Sequence, residues 1–250
     1  MAGKRSIIPN ALTMTNLIAG FLAIIFASKG TGLNEYTAIA GILIFVSGFF
    51  DLFDGAIARA LRVESPIGVQ LDSLADGVSY GIAPGFLSYQ AYLYKLPEIG
   101  FGVNIGMLVA TIFPICTIFR LARFNIGTKK SGFTGLPSPA AGIIISSIPT
   151  LPFSSIMLVG KIDFVIPLYF FIPIFIFVGL LMISRVDYVK LFTEVFKKGK
   201  TSTFIAVATV ILLLVFAGMW SVFFCTSLYI IIGIINYLIK KNNKRSKKQE

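Results

Sequence analysis

Long apolar runs recur along this 250-residue chain, and they restrict its fold more than any other feature. They cover residues 11–28, 36–50, 70–94, 99–119, 138–160, 164–184 and 201–239. A bilayer-spanning helix needs about 20 predominantly apolar residues. The last run is long enough for two such helices, with a break predicted at Gly218, Trp220 and Ser221. The sequence therefore predicts an all-α, polytopic membrane protein with about eight transmembrane helices.

The composition excludes the other broad classes of protein. Hydrophobic residues make up 56% of the chain and charged residues only 13%, against about 25% charged residues in globular domains. A soluble domain of this size could not bury so much apolar surface in one core. An ordinary soluble globule and a disordered chain are both excluded.

The basic residues predict the orientation of the chain in the membrane. If the runs alternate in direction, only Lys29, Lys95 and Lys161 lie on one side, and all other lysines and arginines lie on the other. Cytoplasmic loops carry the excess of Lys and Arg, so both termini are predicted to be cytoplasmic. The basic tail 240–250 is interpreted as an anchor near anionic lipid. Nucleic-acid binding is disfavoured, because no interleaved aromatic residues accompany this tail.

Four aspartates, Asp51, Asp54, Asp72 and Asp76, stand at the predicted cytoplasmic ends of two successive spans. A carboxylate within a span costs about 2.5–3.5 kcal/mol, so water, a basic partner or metal ions must compensate. Spacings of three and four residues place each pair on one helix face. We expect a four-carboxylate site that holds two divalent cations, Mg²⁺ or Mn²⁺, because these ions prefer oxygen ligands. The alternative is a water-filled path in a cation- or proton-coupled transporter.

The residues between the two acidic pairs suit a phosphate ligand. Gly55 and Ala58 are small enough to admit a ligand close to the helix backbone, and Arg59 offers a forked donor for phosphate. Pro66 and Gly68 indicate a turn between the helices. The chain contains no histidine, so acid–base chemistry falls mainly to carboxylates. These features favour phosphoryl transfer.

The pattern Asp51-x2-Asp54-Gly55-x2-Ala58-Arg59-x8-Gly68-x3-Asp72-x3-Asp76 resembles the signature of the CDP-alcohol phosphotransferase family at every fixed position. The resemblance implies a membrane enzyme, expected as a homodimer, in which an alcohol displaces CMP from a CDP-activated molecule. It implies that the first three aspartates bind metal. It also implies that Asp76 completes the metal site and accepts the proton of the alcohol. Further roles implied are contacts to the CDP group, expected at Gly55, Ala58, Arg59, Gly68, Asn10 and Thr13.

Three further segments, 73–84, 120–125 and 133–141, resemble the branch of that family that transfers to L-serine. This implies CDP-diacylglycerol from the bilayer as donor and L-serine from the cytoplasm as acceptor, with glycerol 3-phosphate or inositol as alternative acceptors. Arg120 and Arg123 share a helix face at a predicted cytoplasmic end, where arginines commonly serve as anchors. The resemblance raises the alternative that one of them binds the serine carboxylate or a lipid phosphate.

The resemblance covers most of residues 7–190 and leaves the last two spans without a recognised motif. We expect a single membrane domain over 1–250, with a catalytic core at about 7–190, two further helices in 201–239 and the basic tail 240–250. The expected location is the inner (cytoplasmic) membrane, with the active site facing the cytoplasm.

Overall fold

The chain is helical along almost all of its described length. A computed structural model describes residues 7–61, 65–126, 135–157, 160–162, 164–186, 188 and 200–246. The α-helices are α1 (Ile7–Ala27), α2 (Glu35–Leu61), α3 (Pro66–Gly77), α4 (Ala83–Ala91), α5 (Ile105–Ile126), α6 (Ser138–Ser147), α7 (Leu168–Ile183) and α8 (Lys200–Ser246). A π-helix (Val78–Ile82) joins α3 to α4, and 3₁₀-helices occupy Leu93–Lys95 and Ile148–Phe153.

Two small antiparallel hairpins lie in the connections between helices. One pairs β1 (Glu98–Gly100) with β2 (Val103–Asn104), and the other pairs β3 (Ser155–Ile156) with β4 (Gly160–Lys161). The first follows Lys95, and the second contains Lys161. Lys95 and Lys161 are two of the three basic residues predicted to lie on the non-cytoplasmic side, and each is at one of the hairpins.

Four described helices contain segments long and apolar enough to cross a membrane, namely Pro9–Ala27, Glu35–Gly55, Ile105–Ile126 and Leu212–Asn242. Two further apolar helices, Ser138–Phe153 and Leu168–Ile183, are shorter. The predicted, mostly helical architecture is confirmed, and these segments are candidate membrane spans. The prediction of about eight spans is not tested by these segments, and neither is the predicted orientation.

The break predicted within residues 201–239 is confirmed at Gly218. This residue has φ 51° and ψ −138°, a non-helical conformation inside α8, and glycine adopts positive φ without the steric cost of a Cβ. The residues on either side of β3 form hydrogen bonds to α8 next to this break. The Ser154 hydroxyl accepts a hydrogen bond from the Met219 amide at 3.0 Å, and the Met157 amide donates to the Phe216 carbonyl at 2.7 Å.

Small residues bring the helices around the π-helix into close contact. A Cβ on Gly142 of α6 would lie 2.9 Å from the Cα and Cβ of Tyr80, and a Cβ on Gly20 of α1 would collide with Ser79. Lipid tails are as apolar as the helix surfaces, so helix association in a membrane depends on such close packing. The π-helix, which carries Ser79 and Tyr80, is thereby held between α1 and α6.

We predict that Gly142→Ala destabilises the protein. The added methyl group would overlap the Tyr80 backbone, and overpacking typically costs about 1–3 kcal/mol. Gly179→Ala is a matched control, because the nearest atom to its Cβ would be Cys116 Sγ at 3.7 Å, an ordinary contact. Thermal unfolding in detergent should show a lower Tm for Gly142→Ala and a Tm near wild type for Gly179→Ala. Equal Tm values for the two variants would contradict the packing argument.

Candidate active site

Three of the four predicted aspartates converge in the structure. Asp51 lies on α2, near the end of its apolar segment Glu35–Gly55, and Asp72 and Asp76 lie one turn apart on α3. Each offers a carboxylate oxygen, and these three oxygens all lie within 4.8 Å of one another. Asp76 is buried, with 8% of its surface exposed, whereas Asp51 and Asp72 are half-buried. The predicted convergence of the two helices is therefore observed for these three residues, which we call the carboxylate cluster.

The fourth aspartate, Asp54, is buried next to the carboxylate cluster but is not one of its three members. It interacts electrostatically with Asp51, Asp72 and Asp76. Its Oδ2 atom accepts a hydrogen bond from Thr13 Oγ1 at 2.7 Å. A neighbouring helix thus holds this carboxylate beside the other three.

The donor set of the carboxylate cluster fits a divalent cation. Carboxylates this close repel one another unless positive charge lies between them. Among the described residues, no lysine or arginine forms an ion pair with Asp51, Asp72 or Asp76. Carboxylate oxygens at these separations can converge on one hard cation, since Mg²⁺ and Ca²⁺ bind oxygen at about 2.0–2.6 Å. The cluster is therefore a candidate metal centre.

Helix α1 supplies two polar side chains to the four aspartates. Thr13 and Asn16 are three residues apart and share a face of the helix. Thr13 donates to Asp54, as described above, and Asn16 Nδ2 approaches Asp76 Oδ1 at 3.5 Å. The sequence predicted Thr13 as a nucleotide contact, and the structure shows its hydroxyl on a carboxylate. Hydrogen bonds from neighbouring side chains to metal-binding carboxylates orient those carboxylates.

Asn16 belongs to the run Pro9-Asn10-x2-Thr13-x2-Asn16, which fits the pattern of the family beside its nucleotide site, but it was not among the predicted site residues. It is fully buried, and its backbone carbonyl accepts a hydrogen bond from Ser79 Oγ at 3.1 Å. The spacing of Asn10, Thr13 and Asn16 places three polar residues along one face of an otherwise apolar helix.

Two predicted nucleotide contacts lie side by side where α1 and α3 begin. A Cβ on Gly68 would lie 3.3 Å from Asn10 Oδ1 and 3.0 Å from Ser65 Oγ. Ser65 caps α3, because its hydroxyl accepts a hydrogen bond from the Gly68 amide at 3.1 Å, and Pro66 suits the first helical position. The local sequence thus explains both where α3 starts and why residue 68 is small.

The other three predicted nucleotide contacts lie on α2. Gly55 directly follows Asp54 and is half-buried. Ala58 and Arg59 lie in the last turns of α2, but their side chains fall outside the described residues.

The π-helix Val78–Ile82 begins two residues after Asp76. Such π segments are rare and are frequent at functional sites. Here the segment buries Ser79 and Tyr80 against neighbouring helices. The sequence did not predict it, because apolar periodicity does not distinguish one wide turn from an α-helical turn.

The two predicted arginines have different environments. Arg120 is buried, and its NH1 donates to Ser138 Oγ at 2.8 Å. It also interacts electrostatically with Asp76. Its Nε has no hydrogen-bond partner among the described residues. Ser138 was not predicted as a site residue, although it lies within the segment 133–141.

Arg123 instead contacts the end of α7. It donates to the carbonyl oxygen of Ile183 at 3.0 Å and to that of Ser184 at 3.4 Å. Arginine side chains commonly satisfy the free carbonyl groups at a helix C-terminus. Arg120 combines an interaction with an active-site carboxylate and an Nε donor that no described residue uses.

The fold and the carboxylate cluster define a membrane-embedded enzyme with an acidic site suited to metal-assisted phosphoryl transfer. Residues 6–162 match the family described as CDP-alcohol phosphatidyltransferase. The chain belongs to this family, and the resemblance found in the aspartate pattern is confirmed.

Curated relatives extend the similarity to nearly the whole chain. A protein of Methanocaldococcus jannaschii is 34% identical over 233 residues, which cover 92% of this chain and 94% of the relative. A Helicobacter pylori protein is 33% identical over 237 residues, or 92% and 90% of the two chains. A Bacillus subtilis protein is 40% identical over 139 residues, or 55% and 72%. All three are named CDP-diacylglycerol–serine O-phosphatidyltransferase.

We predict that Thr13→Val weakens divalent-cation binding, because it removes the hydrogen bond to Asp54 while it preserves the shape of the side chain. Loss of a side chain that hydrogen-bonds to a metal ligand typically lowers metal affinity about 10–100-fold. Thr15→Val is the matched control, since the Thr15 hydroxyl donates to the Ala11 carbonyl of its own helix. Mn²⁺ binding can be followed by the electron paramagnetic resonance signal of the free ion. Equal Mn²⁺ affinity in the two variants would show that Thr13 does not support the site.

Proposed function

We propose that this chain transfers the phosphatidyl group of CDP-diacylglycerol to the hydroxyl of L-serine, which gives phosphatidylserine and CMP. The observation that carries the choice of reaction is the near-full-length similarity to relatives named for it. The carboxylate cluster supplies the chemistry that such a transfer needs. The names of these relatives do not favour glycerol 3-phosphate or inositol as the acceptor. They also do not favour a transporter function.

The proposed reaction is a direct displacement. The serine hydroxyl oxygen forms a bond to the phosphorus that carries the diacylglycerol group. The bond from this phosphorus to the bridging oxygen of the diphosphate breaks, and CMP leaves with the electron pair. The serine hydroxyl loses its proton to Asp76. Side-chain general bases of this kind contribute about 10²–10⁴-fold to the rate.

The four aspartates divide two tasks in this proposal. Asp51, Asp54 and Asp72 hold two divalent cations, Mg²⁺ or Mn²⁺, with Asp76 at the edge of the same site. When bound, such ions offset negative charge on the diphosphate and orient the displacement. The buried position of Asp76, one turn beyond Asp72, supports its role as the base, and the absence of histidine leaves no imidazole for that role.

The CDP group is held by residues of α1, α2 and α3 in this proposal. These are Asn10, Thr13, Gly55, Ala58, Arg59 and Gly68. Support comes from the position of Asn10, because its Oδ1 would lie 3.3 Å from a Cβ on Gly68. The starts of α1 and α3 are therefore adjacent.

Arg120 is the proposed ligand of the serine carboxylate. It is buried near Asp76 and keeps an unused Nε donor. Arg123 is the less suitable of the two candidates for this carboxylate or a lipid phosphate, because its guanidinium donates to the end of α7.

We also propose eight membrane spans within one domain, 1–250, with both termini in the cytoplasm. The catalytic core at about 7–190 would face the cytoplasm from the inner membrane, followed by two helices in 201–239 and the tail 240–250. The break at Gly218 supports two spans in α8, and the unbroken helical path over residues 66–91 supports one span there. A homodimer is implied by family resemblance.

A direct assay tests the proposed reaction. Purified protein receives CDP-diacylglycerol, Mn²⁺ and either L-serine, glycerol 3-phosphate or inositol, and CMP release is measured. We expect serine-dependent CMP release that EDTA abolishes and that added Mg²⁺ or Mn²⁺ restores. EDTA should also lower the Tm, because a ligand that binds only the folded state stabilises it. CMP release with another acceptor alone would contradict the choice of serine, and full activity in excess EDTA would contradict the metal site.

Asp76→Asn separates the proposed base from the metal ligands. We expect this variant to bind CDP-diacylglycerol in a metal-dependent manner, while serine transfer falls about 10²–10⁴-fold. Asp72→Asn is the comparison, because loss of a proposed metal ligand should weaken metal-dependent donor binding as well. Turnover of Asp76→Asn within a few-fold of wild type would contradict its role as base. Loss of donor binding in that variant would identify Asp76 chiefly as a metal ligand.

A further inference from the structure

Two buried polar atoms beside Asp76 lack a hydrogen-bond partner among the described residues. They are Asn16 Oδ1 on α1 and Arg120 Nε on α5. Both side chains are at least nine-tenths buried. An unsatisfied buried polar group costs about 1–3 kcal/mol, so native proteins rarely leave one without a partner. The two atoms are opposite in kind, since one accepts hydrogen bonds and the other donates them.

The orientation of the Asn16 amide follows from its neighbour. An ionised carboxylate only accepts hydrogen bonds, so the Nδ2 group must face Asp76 Oδ1, as the structure has it at 3.5 Å. The amide oxygen therefore remains as a free acceptor one side chain away from the proposed base. The bond from Ser79 to the Asn16 carbonyl and the close approach of Gly20 to Ser79 hold this part of α1 in place.

Arg120 provides the complementary group. Its NH1 is engaged by Ser138, and its charge interacts with Asp76. The Nε donor is left for a ligand that lies near the same carboxylate. Asp76 thus has a free acceptor from α1 and a free cationic donor from α5 as its neighbours.

We propose that Asn16 Oδ1 accepts a hydrogen bond from the ammonium group of the acceptor, so that Asn16 and Arg120 together select an amino-acid zwitterion. This inference rests on the proposed function. It adds the ammonium contact, which makes Asn16 a specificity residue as well as a neighbour of Asp76. A hydroxylated amino acid would present its hydroxyl to Asp76, its carboxylate to Arg120 and its ammonium to Asn16.

Three acceptors separate these contacts. L-serine carries all three groups, 3-hydroxypropionate lacks the ammonium, and ethanolamine lacks the carboxylate. Asn16→Ala should lower the ratio of kcat/KM for serine to that for 3-hydroxypropionate about 10–100-fold, as expected for a lost hydrogen bond to a charged group. Any effect of Asn16 on Asp76 slows both acceptors and cancels in this ratio. Arg120→Ala should instead lower the ratio of serine to ethanolamine.

Two further variants sharpen the test. Asn16→Asp retains an acceptor oxygen and adds negative charge, so its preference for serine over 3-hydroxypropionate should equal or exceed that of wild type. Thr15→Val, on the same helix, should leave both ratios unchanged. If Asn16→Ala keeps the wild-type ratio within about two-fold while kcat falls, Asn16 only positions Asp76 and the inference is overturned.

Binding provides a readout if Asn16→Ala is inactive with every acceptor. With CMP and Mn²⁺ present, serine should raise the Tm of the wild type more than 3-hydroxypropionate does. The inference predicts that this difference disappears in Asn16→Ala, and a preserved difference would overturn it. Failure of the proposed function looks different, because the wild type itself would then release no CMP with serine.

Discussion

The mutual repulsion of carboxylates at the end of an apolar helix pair is the constraint on which the rest of the site depends. Asp51, Asp72 and Asp76 bring oxygens within 4.8 Å of one another, and Asp54 is buried beside them. Hydrophobic packing does not relieve that repulsion, and in the described part of the chain no lysine or arginine forms an ion pair with the three clustered residues. A divalent cation between the carboxylates would offset this repulsion, and its binding would then be coupled to folding.

The surrounding helices maintain this unfavourable arrangement by close packing rather than by flexible polar loops. Glycines at 20 and 142 allow α1 and α6 to contact the π-helix at residues 79 and 80. That contact fixes the distance between α1 and α3. Thr13 and Asn16 can therefore reach Asp54 and Asp76 from a separate helix. The orientation of the carboxylates therefore depends on the close packing of these small residues.

The sequence predicts the parts of the site that depend on spacing within one helix or between successive helices. The three- and four-residue intervals of the aspartates place each pair on one face, and a short connection brings the two faces together. Gly218 is predictable as a break because glycine interrupts a run too long for one span. Contacts between distant segments are different. Two examples are the hydrogen bond from Thr13 to Asp54 and that from Arg123 to the end of α7. Both depend on how helices pack, and no local sequence pattern encodes such packing.

Arg120 and Arg123 show how much of a functional assignment depends on this tertiary information. In the sequence they are equivalent, since they are the same residue type three positions apart at one helix end. In the structure one guanidinium lies against Ser138 near Asp76 and the other donates to carbonyl groups of α7, although only about 60° around α5 separates the two positions. The hydrogen bonds of Arg123 to the end of α7 support the packing of α5 against that helix. Arg120 is a buried charge with an unused Nε donor beside a carboxylate, and the carboxylate of the acceptor is the anionic partner proposed for it.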